Sequence, residues 1–246
     1  MKFKSFIVSI CLIIIGCKSN THYDSKISQI EETSIIDLVP NRQKKGLQWL
    51  LKNMDKDDKN LLSTSFLIDN CNYAYEAWDS TPWGSVDDSL FFEYILPFSS
   101  LNERRGNWRQ DFYERFFPIV KNAKSASGAA AILNNSIFEM VGVIYSTKRP
   151  KADQSPYESI EAGLASCTGL SFMLIDACRS VGIPARFVGT PMWYNNSGNH
   201  SWVEIWDNGW HFTGAFEPTG DRLNEGWFAS LAARAVEGHP EYGIYA

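Results

Sequence analysis

One segment constrains the fold more than any other: residues 166–216 predict an N-capped helix followed by three strands. Ser166 is a favourable N-cap, and apolar residues then recur at helical spacing until Gly182 and Pro184 end the helix. Strands are predicted at residues 185–193, 200–206 and 210–216. A helix packed on an antiparallel sheet, which is an α+β arrangement, is therefore the expected core.

A helical region precedes this core. Residues 42–125 carry apolar residues at 3.6-residue spacing, and Leu47, Leu50 and Leu51 form one such face. Pro118 is expected to end a short helix at residue 117. We take the core domain to span residues 126–246, with further helices at 126–145 and 226–236 and the start of a strand at 241–246.

The N-terminus has the pattern of an export signal. Lys2 and Lys4 precede an apolar run over residues 6–15, which is too short to span a membrane. Cys17 follows directly after Gly16, and this arrangement resembles the bacterial lipobox, in which the Cys becomes the lipidated N-terminus. We therefore expect a signal peptide over residues 1–16, lipid on Cys17 and a polar tether over residues 17–41. The alternative is a plain signal peptide with an incidental Cys.

These expectations place the protein outside the cytoplasm, as a membrane-anchored lipoprotein on a periplasmic or cell-surface face. Loss of residues 1–16 lowers the formal net charge from −5 to −7, and no block of basic residues is present. Nucleic acid is therefore not an expected partner. The chain has no C-x-x-C and no H-E-x-x-H sequence, so neither a metal nor any other cofactor is expected.

A cysteine and a histidine carry the expected chemistry. Three cysteines remain after export and lipidation, so at least one thiol is unpaired or paired with another molecule. Cys71 and Cys178 lie on apolar helical stripes and are predicted to be core residues. Cys167 would lie at a helix N-terminus, where free N–H groups favour thiolate. His200 begins a predicted strand, and a thiol paired with an imidazole is the arrangement that acyl transfer requires.

Three segments, in order, resemble transglutaminase-like domains. Residues 165–171 (ASCTGLS) resemble the nucleophile segment, residues 179–188 (RSVGIPARFV) the following helix end and strand, and residues 198–204 (GNHSWVE) the histidine strand. The resemblance implies a papain-like core in which Cys167 is the nucleophile and His200 its base. It covers about a quarter of the chain.

The resemblance also suggests further site residues. The family places an Asp on the next strand, whereas this chain has Glu217, three residues later than expected. Glu217 is the candidate for orienting His200, and a surface carboxylate without a role is the alternative. Asn134 is the candidate side-chain donor to an oxyanion, although a helix-edge Asn is the simpler interpretation. Trp193 and Tyr194 are candidates for contacting substrate, or else packing residues.

The predicted function is thiol-dependent acyl transfer from an amide, in a peptide, a protein or the cell envelope. Hydrolysis is favoured over cross-linking, because exposed bacterial relatives with this core are more often hydrolytic. Two alternatives stay open: an amidase that removes N-linked glycans, which this superfamily also contains, and a non-catalytic binding module on a lipid anchor.

Overall fold

The computed structural model describes residues 25–84 and 86–246, so Cys17 and the predicted signal peptide lie outside the described residues. The described chain has an α+β fold, as predicted. Among the described residues, no helix is both long and apolar enough to cross a membrane. Before the core, the helices are α1 Glu32–Ile36, α2 Asn41–Asn53, α3 Lys56–Leu61, α4 Thr64–Ser80, α5 Asp88–Tyr94 and α6 Arg109–Val120. The remaining elements are α7 Ala126–Val141, β1 Ile144–Tyr145, α8 Pro156–Ala162, β2 Leu164–Ala165, α9 Cys167–Ser180, β3 Ala185–Thr190, β4 His200–Trp206, β5 Trp210–Thr213 and α10 Ala229–Ala232.

The N-terminal helices share a hydrophobic core of their own, formed mainly by α2, α4 and α5. Leu47, Leu50 and Leu51 are buried in it, as their spacing predicted. Cys71 is buried in the same core, and its thiol forms no disulfide. Burial raises the pKa of this thiol to about 12, so Cys71 is a packing residue.

The described part of the expected tether is not free. Residues 27–29 form a 3-10 turn and α1 follows it, and Ile27, Ile35 and Val39 are buried in the core of the N-terminal helices. The tether prediction therefore does not hold for residues 25–41. Three further apolar residues of this segment are partly buried against the same core.

Helix α9 is the centre of the second core. It packs against α6, α7 and α8 and against the strands β3 and β4. Every residue from Gly169 to Ser180 is buried. The sheet is antiparallel with the order β3-β4-β5, and Thr190 of β3 lies opposite His200 of β4. This placement brings the start of β4 close to the start of α9.

Two helices end where the sequence did not predict. Helix α7 ends at Val141, before the predicted residue 145, because Gly142 adopts a left-handed conformation with φ of 70°. Helix α6 continues through Pro118 to Val120. Pro118 lacks the N–H that would bond the carbonyl four residues earlier, and only the last two residues of α6 follow it.

Arg109 joins the two cores. Its guanidinium is 1% exposed and donates to the side chain of Asn70 at 2.7 Å and to the backbone carbonyl of Arg179 at 3.1 Å. It also donates to three carbonyls that follow α5, those of Ile95, Leu96 and Pro97. One side chain thus satisfies buried acceptors from both halves of the structure.

We predict that Arg109→Met lowers the free energy of unfolding by roughly 3–5 kcal/mol, because several buried carbonyls lose their donor. Arg115→Met is the matched control on the same helix. Its guanidinium is half exposed and pairs with Asp111 on the same helix, so we expect a change of about 1 kcal/mol or less. Urea unfolding of both variants measures the difference. Equal effects would show that Arg109 does not join the two cores.

Candidate active site

Cys167 is the first residue of α9. The Ser166 hydroxyl accepts a hydrogen bond from the Gly169 N–H at 3.1 Å, which fixes the start of the helix at Cys167. Strand β2 ends at Ala165 and pairs in parallel with β1. This pairing fixes the backbone just before the first turn of α9. Cys167 is partly buried and forms no disulfide. It therefore sits among the unpaired N–H groups of a helix N-terminus, as predicted.

His200 is the first residue of β4 and is 5% exposed. The residues that follow Cys167 and His200 are joined, since the hydroxyls of Thr168 and Ser201 are hydrogen-bonded at 3.1 Å. Cys167 and His200 line the same cleft, which has a volume of about 330 Å³. The structure thus brings the predicted nucleophile and base together.

The environment of Cys167 favours its thiolate. Burial raises the pKa of the thiol, but the adjacent His200 and the backbone and side chain of Ser201 lower it by more. The net result is a pKa below the ordinary value for cysteine. A lowered pKa distinguishes a reactive cysteine from a buried structural one.

The environment of His200 favours its protonated form. Burial lowers the pKa of the imidazole, while the neighbouring Cys167 and Glu217 raise it, and the net pKa rises from 6.5 to about 9. Between the lowered pKa of Cys167 and about 9, the pair is therefore expected as thiolate and imidazolium. The ion pair forms as the pH rises through the lowered pKa of Cys167 and is lost as the pH rises through about 9.

Glu217 lies beside His200, as predicted, but at ion-pair rather than hydrogen-bond distance. Its Oε2 is 3.7 Å from His200 Nε2, which has no hydrogen-bond partner among the described residues. The indole N–H of Trp227 donates to the same oxygen at 2.9 Å. Gly214 permits this placement, because a Cβ there would lie 2.2 Å from Oε2. The carboxylate can thus support a protonated His200.

Asn134 does not fit the predicted oxyanion role. Its side chain is 3% exposed and both ends of the amide are used. Nδ2 donates to Thr213 Oγ1 at 3.0 Å and to the Gly214 carbonyl at 2.8 Å, while Oδ1 accepts from the Phe216 N–H at 2.9 Å. Asn134 therefore holds the turn between β5 and Glu217, with no N–H left for a substrate.

Trp193 and Tyr194 are not placed as substrate-contacting residues either. Trp193 is 3% exposed and stacks on Trp202, with ring centres 6.3 Å apart. The Tyr194 hydroxyl accepts from Arg234 at 2.7 Å. Trp193 is therefore a buried packing residue next to His200. The hydrogen bond of Tyr194 connects its loop to the segment after α10.

Trp227 is a site residue that the sequence did not reveal. Its ring centre lies 4.8 Å from that of His200, and the side chain is 59% exposed at the mouth of the cleft. The sequence placed it inside a predicted helix over residues 226–236, whereas α10 covers only Ala229–Ala232. A contact between residues far apart in the chain produces no periodic pattern in the sequence, so it could not be predicted from spacing.

Comparison with known proteins assigns the domain. Residues 115–215 match the sequence model of the transglutaminase-like superfamily. A crystal structure of a "Putative Cysteine Protease" from Cytophaga hutchinsonii is similar at 18% identity and a TM-score of 0.42, over 58% of this chain. The match spans about half, 47%, of that protein. No curated protein matches the chain.

The matched range contains both Cys167 and His200 and ends shortly before Glu217. The match supports a cysteine-dependent enzyme in general terms. Residues 115–215 therefore form a domain of the transglutaminase-like superfamily.

Proposed function

We propose that this protein is a cysteine-dependent amide hydrolase, with Cys167 as nucleophile and His200 as its acid and base. The observation that carries the proposal is that Cys167 and His200 line one cleft. There His200 lowers the pKa of Cys167 and Cys167 raises the pKa of His200, so each favours the charged form of the other. A purely structural cysteine would behave as Cys178 does, whose burial raises its pKa far above the ordinary value.

The reaction follows from this pair. The Cys167 thiolate attacks the amide carbonyl, and the new C–S bond places negative charge on the carbonyl oxygen. The backbone N–H of Cys167, at the first helical position, is available to stabilise that oxygen. Protonated His200 then gives its proton to the leaving nitrogen as the C–N bond breaks. A thioester and a neutral imidazole remain.

Hydrolysis completes the cycle. Neutral His200 takes a proton from water as the water oxygen attacks the thioester carbonyl. The C–S bond then breaks, which releases the acid and restores the thiolate–imidazolium pair. Water can reach the thioester because the cleft is open. Tyr145 and Trp227 line it and are 53% and 59% exposed.

The proposed substrate is an amide in a peptide, a protein or the cell envelope, outside the cytoplasm. This location rests on the N-terminal sequence, in which a basic, apolar and Gly16-Cys17 order precedes the folded domain. We predict that mass spectrometry of the protein from its native membrane finds Cys17 as a lipidated N-terminus. An unmodified Cys17, or cleavage at another residue, would refute the anchor without affecting the active-site proposal.

We predict that iodoacetamide labels Cys167 at neutral pH at least about tenfold faster than an ordinary thiol. The rate should stay high below the ordinary thiol pKa, because the thiolate persists there. Cys71 and Cys178 should remain unlabelled in the folded protein, and Cys167→Ser is the control. His200→Ala should slow labelling at neutral pH by raising the pKa of Cys167. An unchanged rate in His200→Ala would contradict the proposed pair.

We predict that Glu217→Gln keeps the fold but slows hydrolysis by roughly one to two orders of magnitude. Glu217 raises the pKa of His200, so its loss should also move the alkaline limb of the pH profile to lower pH. Glu225→Gln is the matched control, because Glu225 is an exposed carboxylate that pairs with Arg222. Full activity in Glu217→Gln alongside an inactive Cys167→Ala would indicate a Cys–His dyad.

A further inference from the structure

A second cavity meets the active-site cleft at His200. It has a volume of about 540 Å³, and Asn199 and His200 line both spaces. Its lining includes the edge of β3 that faces away from β4, together with Tyr94 and Leu101 from the N-terminal helical region. The cavity is therefore lined by both halves of the described structure and leads to the proposed base.

The edge of β3 already binds an extended chain. Gly189 donates to the Tyr245 carbonyl at 3.0 Å and accepts from the Tyr245 N–H at 2.9 Å. These two bonds form an antiparallel bridge on the side of β3 away from β4. Because backbone groups alternate along a strand, those of Phe187 face the same edge. Among the described residues, no backbone group pairs with Phe187 on that side.

The segment that occupies this edge is only partly buried. Tyr245 is 52% exposed and Ile244 is 39% exposed, so close to half of the surface of these two residues faces solvent. Besides the two bonds to Gly189, the Gly243 N–H donates to the His239 carbonyl, and the Tyr245 hydroxyl donates to two carbonyls of the residues just before the segment. Each backbone hydrogen bond contributes only about 0.5–1.5 kcal/mol. A competing extended chain could therefore displace residues 243–245.

We propose that the β3 edge from Phe187 to Gly189 is the docking site for an extended peptide segment of the substrate, and that residues 243–245 occupy it as an internal competitor. This inference rests on the proposed function and names its substrate class. A peptide paired with Gly189 lies one residue from Thr190, which is opposite His200. Backbone pairing would fix the peptide, and the cavity beside Phe187 and Leu101 would take an apolar side chain.

Two variants of the full chain separate backbone pairing from side-chain contacts. Tyr245→Pro removes the N–H that donates to Gly189, whereas Tyr245→Phe keeps it and loses only the hydroxyl. The probe is a fluorescein-labelled hexapeptide with the sequence of residues 241–246, EYGIYA. Its binding is followed by fluorescence anisotropy. We expect Tyr245→Pro to bind it at least about tenfold more tightly than wild type, and Tyr245→Phe, which keeps both backbone bonds to Gly189, to bind it clearly less tightly than Tyr245→Pro.

A second measurement links this edge to the active site. The unlabelled hexapeptide should slow the reaction of Cys167 with a peptidyl vinyl sulfone, in wild type as well as in Tyr245→Pro, but not its reaction with iodoacetamide. Equal hexapeptide affinity in Tyr245→Pro and wild type, or no protection against the vinyl sulfone, would overturn the docking site. Slow labelling by iodoacetamide alone would instead count against the proposed thiolate, and the anisotropy result would still decide the docking site.

Discussion

The site depends on the mutual stabilisation of two charges that burial opposes. Burial raises the pKa of Cys167 and lowers that of His200, so each residue alone would be driven toward its neutral form. When the two residues lie together, each charge stabilises the other. The net pKa of Cys167 is therefore lowered and that of His200 is raised, against the effect of burial. The thiolate and the imidazolium therefore belong to one interaction, and the pH range of that pair would set the range of the proposed reaction.

The rest of the domain serves to hold this pair in place. Ser166 fixes the first residue of α9, and the sheet register places His200 at the start of β4. Asn134, from α7, holds the turn that carries Glu217 toward the imidazole. Arg109 ties the N-terminal helices to the end of α9. Tyr94 and Leu101, from the same region, line the cavity beside β3, which gives the N-terminal region a place in the proposed substrate site.

The sequence predicted those features that local rules determine. The N-cap at Ser166 and the apolar spacing located α9 to within a residue, and the predicted strand 200–206 matches β4. Contacts between distant residues were not predictable in this way. Asn134 was expected at the oxyanion, yet its amide is used by a turn some 80 residues away. Trp227 falls within a helix predicted from the sequence, and nothing in its local sequence indicates that its ring contacts His200.

The ionisation state of the pair is the central claim, and the ultraviolet absorbance of the thiolate measures it directly. The pH titration of the wild-type protein, less that of Cys167→Ser, isolates the contribution of Cys167. We expect thiolate absorbance to appear below the ordinary pKa of cysteine, and we expect His200→Ala to move the titration to higher pH. A Cys167 thiol that ionises only at the ordinary pKa of cysteine, with no change in His200→Ala, would contradict the account.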